Sequence, residues 1–160
     1  MRSFNCGETF KVNTLGIHPF STAHDAEDSA GFTISCNGRK IGIATDLGIA
    51  TTMVKQNLKG CDLLILEANH DPEMLINGPY PWPLKQRIQS RTGHLSNQDA
   101  GDLLTELVHD NLTHVVLAHL SEENNSPEKA METVAQAMGG NGIHIDVARQ
   151  DRCGRLIRLE

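Results

Sequence analysis

The chain has 160 residues, of which 39% are hydrophobic and 21% are charged, and its formal net charge is −6 at pH 7. These values are ordinary for a single globular domain with a sizeable core. The net negative charge argues against a protein that binds nucleic acid over its whole surface.

The sequence shows no segment that belongs to a membrane or to a disulfide scaffold. No run of 18 apolar residues is present, and the first residues lack the apolar core of a signal peptide. The four cysteines are far apart and form no C-x-x-C pair, which excludes a zinc ribbon and argues against a disulfide framework. We therefore expect a cytoplasmic protein without a membrane partner.

The first third of the chain predicts antiparallel strands. Apolar residues between Thr9 and Phe20 predict strand structure with a break at Gly16. A second strand is predicted from Gly31 to Cys36. The dipeptide Asn37-Gly38 is typical of a tight turn, so Gly31 to Asp46 should form a hairpin.

The second strand of this hairpin organises the rest of the chain. Residues 41–44 are uncharged and are followed by Thr45-Asp46-Leu47-Gly48. This pattern predicts a buried strand that presents the Asp46 carboxylate at its C-terminal end, where open sheets place their chemistry.

Helices and strands alternate in the remainder. The pattern predicts a helix over Thr51–Leu58, a strand ending at Glu67, an irregular loop over Asn77–Pro83, a helix capped by Ser96, a strand over His114–His119, a helix from Ser126 to the Gly139-Gly140 pair, and a final hairpin made of Ile143–Ala148 and Leu156–Leu159. The resulting class is α/β or α+β.

Polar residues follow the ends of several predicted strands. His24, Asp46 and His119 each come just after an apolar strand, and imidazole and carboxylate groups on a rigid frame are the ligands of divalent metals. The alternative is that the two histidines are edge residues bonded to backbone and that Asp46 caps a helix. The coincidence of all three favours the metal site.

Several motifs resemble those of metallo-β-lactamase-fold hydrolases. The segments STAHDA, IATDLG and LAHLS match the third, fourth and fifth motifs of that family. The segment DLLILEAN is similar to the DLLIHEAT strand of RNase Z-type nucleases, and GHLSNQDAGDLL resembles their GHSTxxxA helix start. The combination with NGPYPWPLKQRI most closely resembles the YycJ/WalJ-type branch, which is related to RNase Z and RNase J nucleases.

This resemblance implies a specific architecture. The chain is similar to the C-terminal half of an αββα sandwich, a mixed sheet with helices on one side. The H-x-H-x-D-H motif of the family, which supplies most of the ligands of two metals, is absent because no two histidines are spaced H-x-H. We therefore expect residues 1–160 to form a single partial domain.

The resemblance also implies roles for individual residues. His24, Asp46 and His119 would be metal ligands for two divalent ions, Zn²⁺ or Mn²⁺, in the intact parent enzyme, with Asp46 as the bridging carboxylate. This chain by itself would hold these ions in part or not at all. His94 would donate a proton to the leaving oxygen, and Glu67 would orient or charge His94. The alternatives are an exposed histidine before a helix and a surface carboxylate at a strand end.

The stretch from Met74 to Gln98 contains no acidic residue. Its cations Lys85, Arg87 and Arg91, with the aromatic residues Tyr80 and Trp82, predict a surface for an anionic polymer. The alternative is a proline–aromatic plug that packs on the protein, with solvated cations behind it.

Three functional hypotheses follow. The first is a metal-dependent phosphodiesterase or nuclease that acts on nucleic acid. The second is a small-molecule esterase or thioesterase of the same fold, for which the basic stretch would be unexplained. The third is a non-catalytic module that associates with itself or with a separate N-terminal half through the face that this half would cover.

Overall fold

The computed structural model describes residues 3–140 and 142–159. Within them the strands are β1 (Phe10–Val12), β2 (Leu15–Ser21), β3 (Ala30–Cys36), β4 (Arg39–Ala44), β5 (Leu63–Glu67), β6 (His114–Ala118) and β7 (His144–Val147). The helices are α1 (Thr52–Leu58), α2 (Pro72–Asn77), α3 (Trp82–Ile88), α4 (Asn97–Leu107) and α5 (Pro127–Met138).

All seven strands form one mixed sheet in sequence order. Strands β1 to β4 pair antiparallel, and β4 to β7 pair parallel. The parallel strands β4 to β7 follow one another across the sheet in sequence order. Because crossover connections between parallel strands are right-handed, the helices of these connections lie on one face of the sheet. Helix α4 contacts both α1 and α5. The predicted mixed sheet with helices on one side is confirmed.

The core lies between the sheet and these helices. Every second residue of the central strands faces it, including Ala44, Leu64, Leu66, Val115 and Leu117, all at most 1% exposed. Gly42 belongs to the same face, where an added Cβ would lie 2.7 Å from Cδ2 of Leu58. The alternation Ile-Gly-Ile-Ala in β4 therefore reflects a close approach of α1 to the sheet.

The opposite face of the sheet is also apolar. One row of paired residues crosses five strands and contains Pro19, Phe32, Ile43, Ile65 and Val116. The last four are only half-buried, although Phe4 packs edge-on against Phe32 with ring centroids 5.5 Å apart. The described sheet therefore carries apolar residues on both of its faces.

Local turn chemistry explains where the hairpins lie. Asn37 and Gly38 both have positive φ angles, 49° and 78°, as a two-residue hairpin turn requires. The earlier break occurs at Asn13, with φ of 52°, and the prediction of a break at Gly16 is wrong because Gly16 pairs within β2.

The predicted C-terminal hairpin is also wrong. Strand β7 pairs parallel with β6, and residues 156–159 form no strand. The chain enters β7 through a crossover helix, which places the strand beside β6 in parallel orientation. Periodicity identifies such a strand but not its partner.

The prediction of an irregular loop over Asn77–Pro83 is wrong at its end. Pro81 is the N-cap of α3, and Pro83 lies in the first turn, where a missing N–H is tolerated. Helix α2 also precedes this segment, with Asp71 as N-cap accepting from the N–H of Met74.

The described residues contain no membrane-spanning helix, and their cysteines are unpaired. Across the described residues, no helix combines the length and the apolar character that crossing a bilayer requires. All four cysteines are free thiols, as expected for a chain without a disulfide framework.

Candidate metal centre and cleft

Three acidic and histidine side chains meet at the C-terminal ends of the parallel strands. Glu67 is the last residue of β5, His119 directly follows β6, and Asp46 lies two residues beyond β4. Asp46 and His119 both have φ of 57°, a left-handed conformation that turns the chain sharply as it leaves the sheet. Nδ1 of His119 lies 3.8 Å from Oδ1 of Asp46.

His24 reaches the same place from the connection between β2 and β3. Its Nδ1 donates to the carbonyl oxygen of Gly93 at 2.9 Å, and its Nε2 lies 3.7 Å from Oδ1 of Asp46. A carbonyl oxygen can only accept, so this bond assigns a proton to Nδ1 and leaves Nε2 facing the carboxylates of Asp25 and Asp46.

Glu67 is a buried carboxylate that holds two histidines. It is 0% exposed, and its Oε1 accepts from Nδ1 of His94 at 2.6 Å and from Nδ1 of His119 at 3.0 Å. Its Oε2 accepts from the N–H of Leu47 at 2.9 Å. The alternative of a surface carboxylate is therefore excluded.

These contacts set the charge states of the group. Burial disfavours the ionised form of Glu67, but hydrogen bonds from His119, His94 and Leu47 outweigh it and hold the pKa below its ordinary value of 4.5. The hydrogen bond to Glu67, opposed by partial burial, raises the pKa of His119 above 6.5.

The three imidazole rings share one arrangement. In His24, His94 and His119 alike, Nδ1 is bonded to a protein acceptor, and among the described residues no hydrogen bond engages Nε2. This is the arrangement of metal-ligating histidines, whose second nitrogen is tied to a carbonyl or carboxylate. Imidazole and carboxylate donors fit a divalent metal.

The distances define two overlapping groups of possible ligands. Donor atoms of His24, Asp46 and His94 lie within 4.8 Å of one another, as do those of Glu67, His94 and His119. Oε1 of Glu67 accepts from both rings and Oε2 accepts one hydrogen bond from Leu47, so Glu67 orients the two histidines from a buried position.

Asp46 does not cap the following helix, α1. The N-cap of α1 is Thr51, whose side chain accepts from the N–H of Val54. The Asp46 carboxylate therefore does not cap that helix and is available at the sheet edge.

A cleft of about 650 Å³ opens over this edge, and its lining includes Asp25, Asn69, Tyr80, Arg87, His94 and His119. Nη2 of Arg87 donates to Oδ1 of Asp25 at 3.0 Å, and Nε of Arg87 donates to the other oxygen. This bidentate hydrogen bond lowers the pKa of Asp25 from 3.8 to about 2.

The three predicted substrate-binding cations lie in different environments. Arg87 lines the cleft. Lys85 does not, because it is 8% exposed and its Nζ donates to the carbonyl oxygens of Ile76 and Gly78 at 2.6 and 2.8 Å. The charge of Lys85 is thus bonded within the fold, away from the cleft, and its role in substrate binding stays a prediction.

Arg91 is exposed and lies away from the cleft. It lines a separate groove whose other residues include Asp99, Asp102 and Glu106. The acid-free stretch therefore contributes one cation to the cleft, and that cation is paired with Asp25.

Two residues of the site were not identified from the sequence. Asp25 follows His24 directly, and its Oδ1 lies 3.6 Å from Nε2 of that histidine. Asn69 lines the cleft and donates from Nδ2 to the carbonyl oxygen of His119 at 2.8 Å. The position of Asn69 in the motif LEAN, just after a strand end, was the available signal.

The family described as "Beta-lactamase superfamily domain" matches residues 1–120. The chain is 34% identical over 145 residues to a Bacillus anthracis protein named exodeoxyribonuclease YycJ, covering 91% of this chain and 55% of that protein. It is 34% identical over 148 residues to exodeoxyribonuclease WalJ of Streptococcus pneumoniae strain D39, covering 90% and 55%. The chain thus spans about half the length of these curated relatives.

The structural comparison agrees at the level of fold. The metallo-β-lactamase fold protein YhfI from Bacillus subtilis superposes with a TM-score of 0.68 at 16% identity, covering 91% of this chain and 52% of that chain.

Proposed function

The chain belongs to the metallo-β-lactamase-fold hydrolases of the YycJ/WalJ type, a fold that implies a divalent metal, and we propose that it carries part of the active site of a nuclease that hydrolyses phosphodiester bonds in DNA. The observation that supports this most directly is the convergence of His24, Asp46 and His119 at one sheet edge, with Nε2 of both rings left free.

We assign the metal ligands by their geometry. His24 would bind through Nε2, which lies 3.7 Å from Oδ1 of Asp46. His119 would bind through its unbonded Nε2, since its Nδ1 is bonded to Glu67 and lies 3.8 Å from Oδ1 of Asp46. Asp46 would supply a carboxylate to divalent ions, Zn²⁺ or Mn²⁺. When bound, such ions lower the pKa of a water molecule and neutralise charge on a phosphate.

His94 is the proposed proton donor. Its Nδ1 is bonded to the buried Glu67 carboxylate, and its side chain is 21% exposed and lines the cleft. A buried carboxylate on Nδ1 stabilises the imidazolium and holds the ring so that Nε2 can deliver a proton to the leaving oxygen. Glu67 is therefore the positioning residue for His94 and His119 together.

Arg87 is the proposed contact for the substrate's backbone. Its Nε and Nη2 bond to the Asp25 carboxylate at the cleft, which fixes the guanidinium but also neutralises part of its charge. Nucleic acid would then be held by this oriented guanidinium and by Tyr80, whose ring is available for stacking at the same cleft. A small-molecule esterase would make no use of these two groups.

The apolar sheet face favours a second candidate function. The half-buried row Phe32, Ile43, Ile65 and Val116 could pair two copies of this chain as an oligomerising module. Light scattering distinguishes the two candidates, since this one predicts a dimer that Ile43→Lys returns to a monomer, without any metal requirement.

The nuclease proposal is tested with DNA of single- and double-stranded form, incubated with the chain and Mn²⁺ or Zn²⁺. We expect product only with metal, and a loss of at least about 100-fold for His94→Ala with metal stoichiometry unchanged. The matched control is His18→Ala. Nδ1 of His18 contacts the exposed side chain of Thr9, away from the cleft. Metal-independent cleavage, or cleavage that His94→Ala leaves unchanged, would refute the proposal, and no cleavage under any of these conditions would show that this part of the site is not active by itself.

A further inference from the structure

The backbone of His119 is held in an uncommon conformation. Its φ of 57° lies in the left-handed region, which a residue with a Cβ adopts only when its surroundings hold it there. The turn at His119 places its ring where Nδ1 reaches Glu67, so whatever fixes this peptide sets the position from which the ring makes that bond.

The side-chain amide of Asn69 is the group that holds it. Nδ2 of Asn69 donates to the carbonyl oxygen of His119 at 2.8 Å, and the N–H of Ser121 donates back to the carbonyl oxygen of Asn69 at 2.8 Å. Asn69 therefore bonds to both sides of the turn. These two bonds tie the end of β6 to the chain that leaves β5.

Asn69 is itself anchored. It is 9% exposed, its N–H donates to the carbonyl oxygen of Leu95 at 2.8 Å, and its carbonyl oxygen also accepts from Nδ2 of Asn125 at 3.0 Å. The Asn125 amide is in turn bonded to Asn97 at the start of α4. The amide that reaches His119 thus projects from a backbone fixed on two sides.

We propose that Asn69 is a second positioning residue of the candidate metal centre, beside Glu67, and that it sets the backbone of His119 so that Nδ1 of the ring reaches Glu67 and Nε2 stays unbonded. This inference rests on the proposed metal site. An aspartate at this position would keep the shape of the side chain but lose the N–H donor, and an alanine would lose both.

The test uses metal-free chain labelled with ¹⁵N, and it records the ring nitrogens of its histidines by NMR in wild type, Asn69→Ala and Asn69→Asp. We expect the His119 signals to move away from the single Nδ1–H tautomer in both variants. The ring of His24 should stay unchanged, because its Nδ1 bonds to Gly93. Zn²⁺ affinity measured by calorimetry should fall by about 10- to 100-fold.

Asn57→Ala is the matched control, because it removes a hydrogen bond from a side-chain amide to the carbonyl oxygen of Met53 on the solvent side of helix α1. It should alter neither readout. An unchanged His119 ring in both Asn69 variants would overturn the inference. If wild type fails to bind Zn²⁺, the proposed metal site fails, while the ring signals still decide the role of Asn69.

Discussion

Nδ1 of His94 lies 2.6 Å from Oε1 of Glu67, a carboxylate with no exposed surface. The two residues are 27 positions apart in the sequence, and the sheet brings them together because β5 ends where the loop before α4 crosses it. Since the same oxygen also accepts from His119, one buried charge orients both rings. The following predictions depend on this arrangement and on its surroundings.

Removing the Glu67 carboxylate should destabilise the fold. Glu67→Ala leaves three N–H donors, from His94, His119 and Leu47, without their buried acceptor, so we expect a loss of about 3 kcal/mol in the free energy of unfolding. Urea denaturation measures it. Glu106→Ala, which removes an exposed pair with Lys55, should cost less than about 1 kcal/mol. Equal costs for the two variants would contradict the account.

The contribution of Glu67 should depend on pH in a defined window. Its pKa is lowered in the folded state, so its stabilisation is present above 4.5 and is lost as the pH falls below that value. The pKa of His119 is raised, so its contribution is present below 6.5 and is lost as the pH rises through the folded pKa.

We therefore expect the stability difference between wild type and Glu67→Gln to be largest between pH 4.5 and 6.5. Denaturation of the metal-free proteins at a series of pH values measures it. A difference that does not vary with pH would show that the pair is not ionised.

Arg87 should control the charge of Asp25. Its side-chain hydrogen bond is the largest cause of the low Asp25 pKa, so Arg87→Ala should raise that pKa from about 2 toward 3.8. Carboxyl ¹³C NMR titration reports it. Arg39→Ala serves as the comparison, because Arg39 pairs with Asp62 and not with the cleft. An Asp25 pKa that remains near 2 in Arg87→Ala would contradict the pairing.

Gly93 should be intolerant of any side chain. A Cβ there would lie 2.2 Å from the carbonyl oxygens of Arg87 and Ile88, and backbone atoms cannot move aside cheaply. Since the Gly93 carbonyl holds His24, we expect Gly93→Ala to reduce both stability, by about 2 kcal/mol, and Zn²⁺ affinity. Gly16→Ala meets only the Ser35 oxygen at 3.8 Å and should affect neither. Full metal affinity in Gly93→Ala would contradict the assigned role of the loop.

Lys85 should stabilise the fold and contribute little to DNA binding. Lys85→Met leaves the carbonyl oxygens of Ile76 and Gly78 without their donor, so we expect a loss of about 2 kcal/mol in unfolding free energy. DNA binding, measured by fluorescence anisotropy, should change less than about twofold. A large loss of DNA affinity with unchanged stability would restore Lys85 to the substrate-binding surface.

Sequence patterns predicted the elements whose signals are local. The Asn37-Gly38 turn, the Ser96 and Ser126 caps and the alternation in β4 each depend on neighbouring residues, and all appear as expected. The strand-end positions of Asp46, Glu67 and His119 likewise follow from the rule that parallel strands end at one edge.

The features that sequence patterns missed depend on contacts between distant segments. Strand β7 pairs with β6 because the chain between them crosses over through a helix. Lys85 is buried because its Nζ donates to the carbonyl oxygens of Ile76 and Gly78 at the end of α2. Helix α3 begins among three prolines because Pro81 is its N-cap and Pro83 lies in its first turn, two positions where a helix needs no N–H donor. None of these facts can be deduced from residue spacing.

Calorimetric titration of the metal-free chain with Zn²⁺ and with Mn²⁺ tests the central claim most directly, in wild type, Asp46→Asn and the exposed control Asp102→Asn. We predict saturable binding by wild type and Asp102→Asn, and a loss of at least about tenfold in affinity for Asp46→Asn. Absence of binding by wild type, or equal affinity in all three proteins, would contradict a metal centre at this sheet edge.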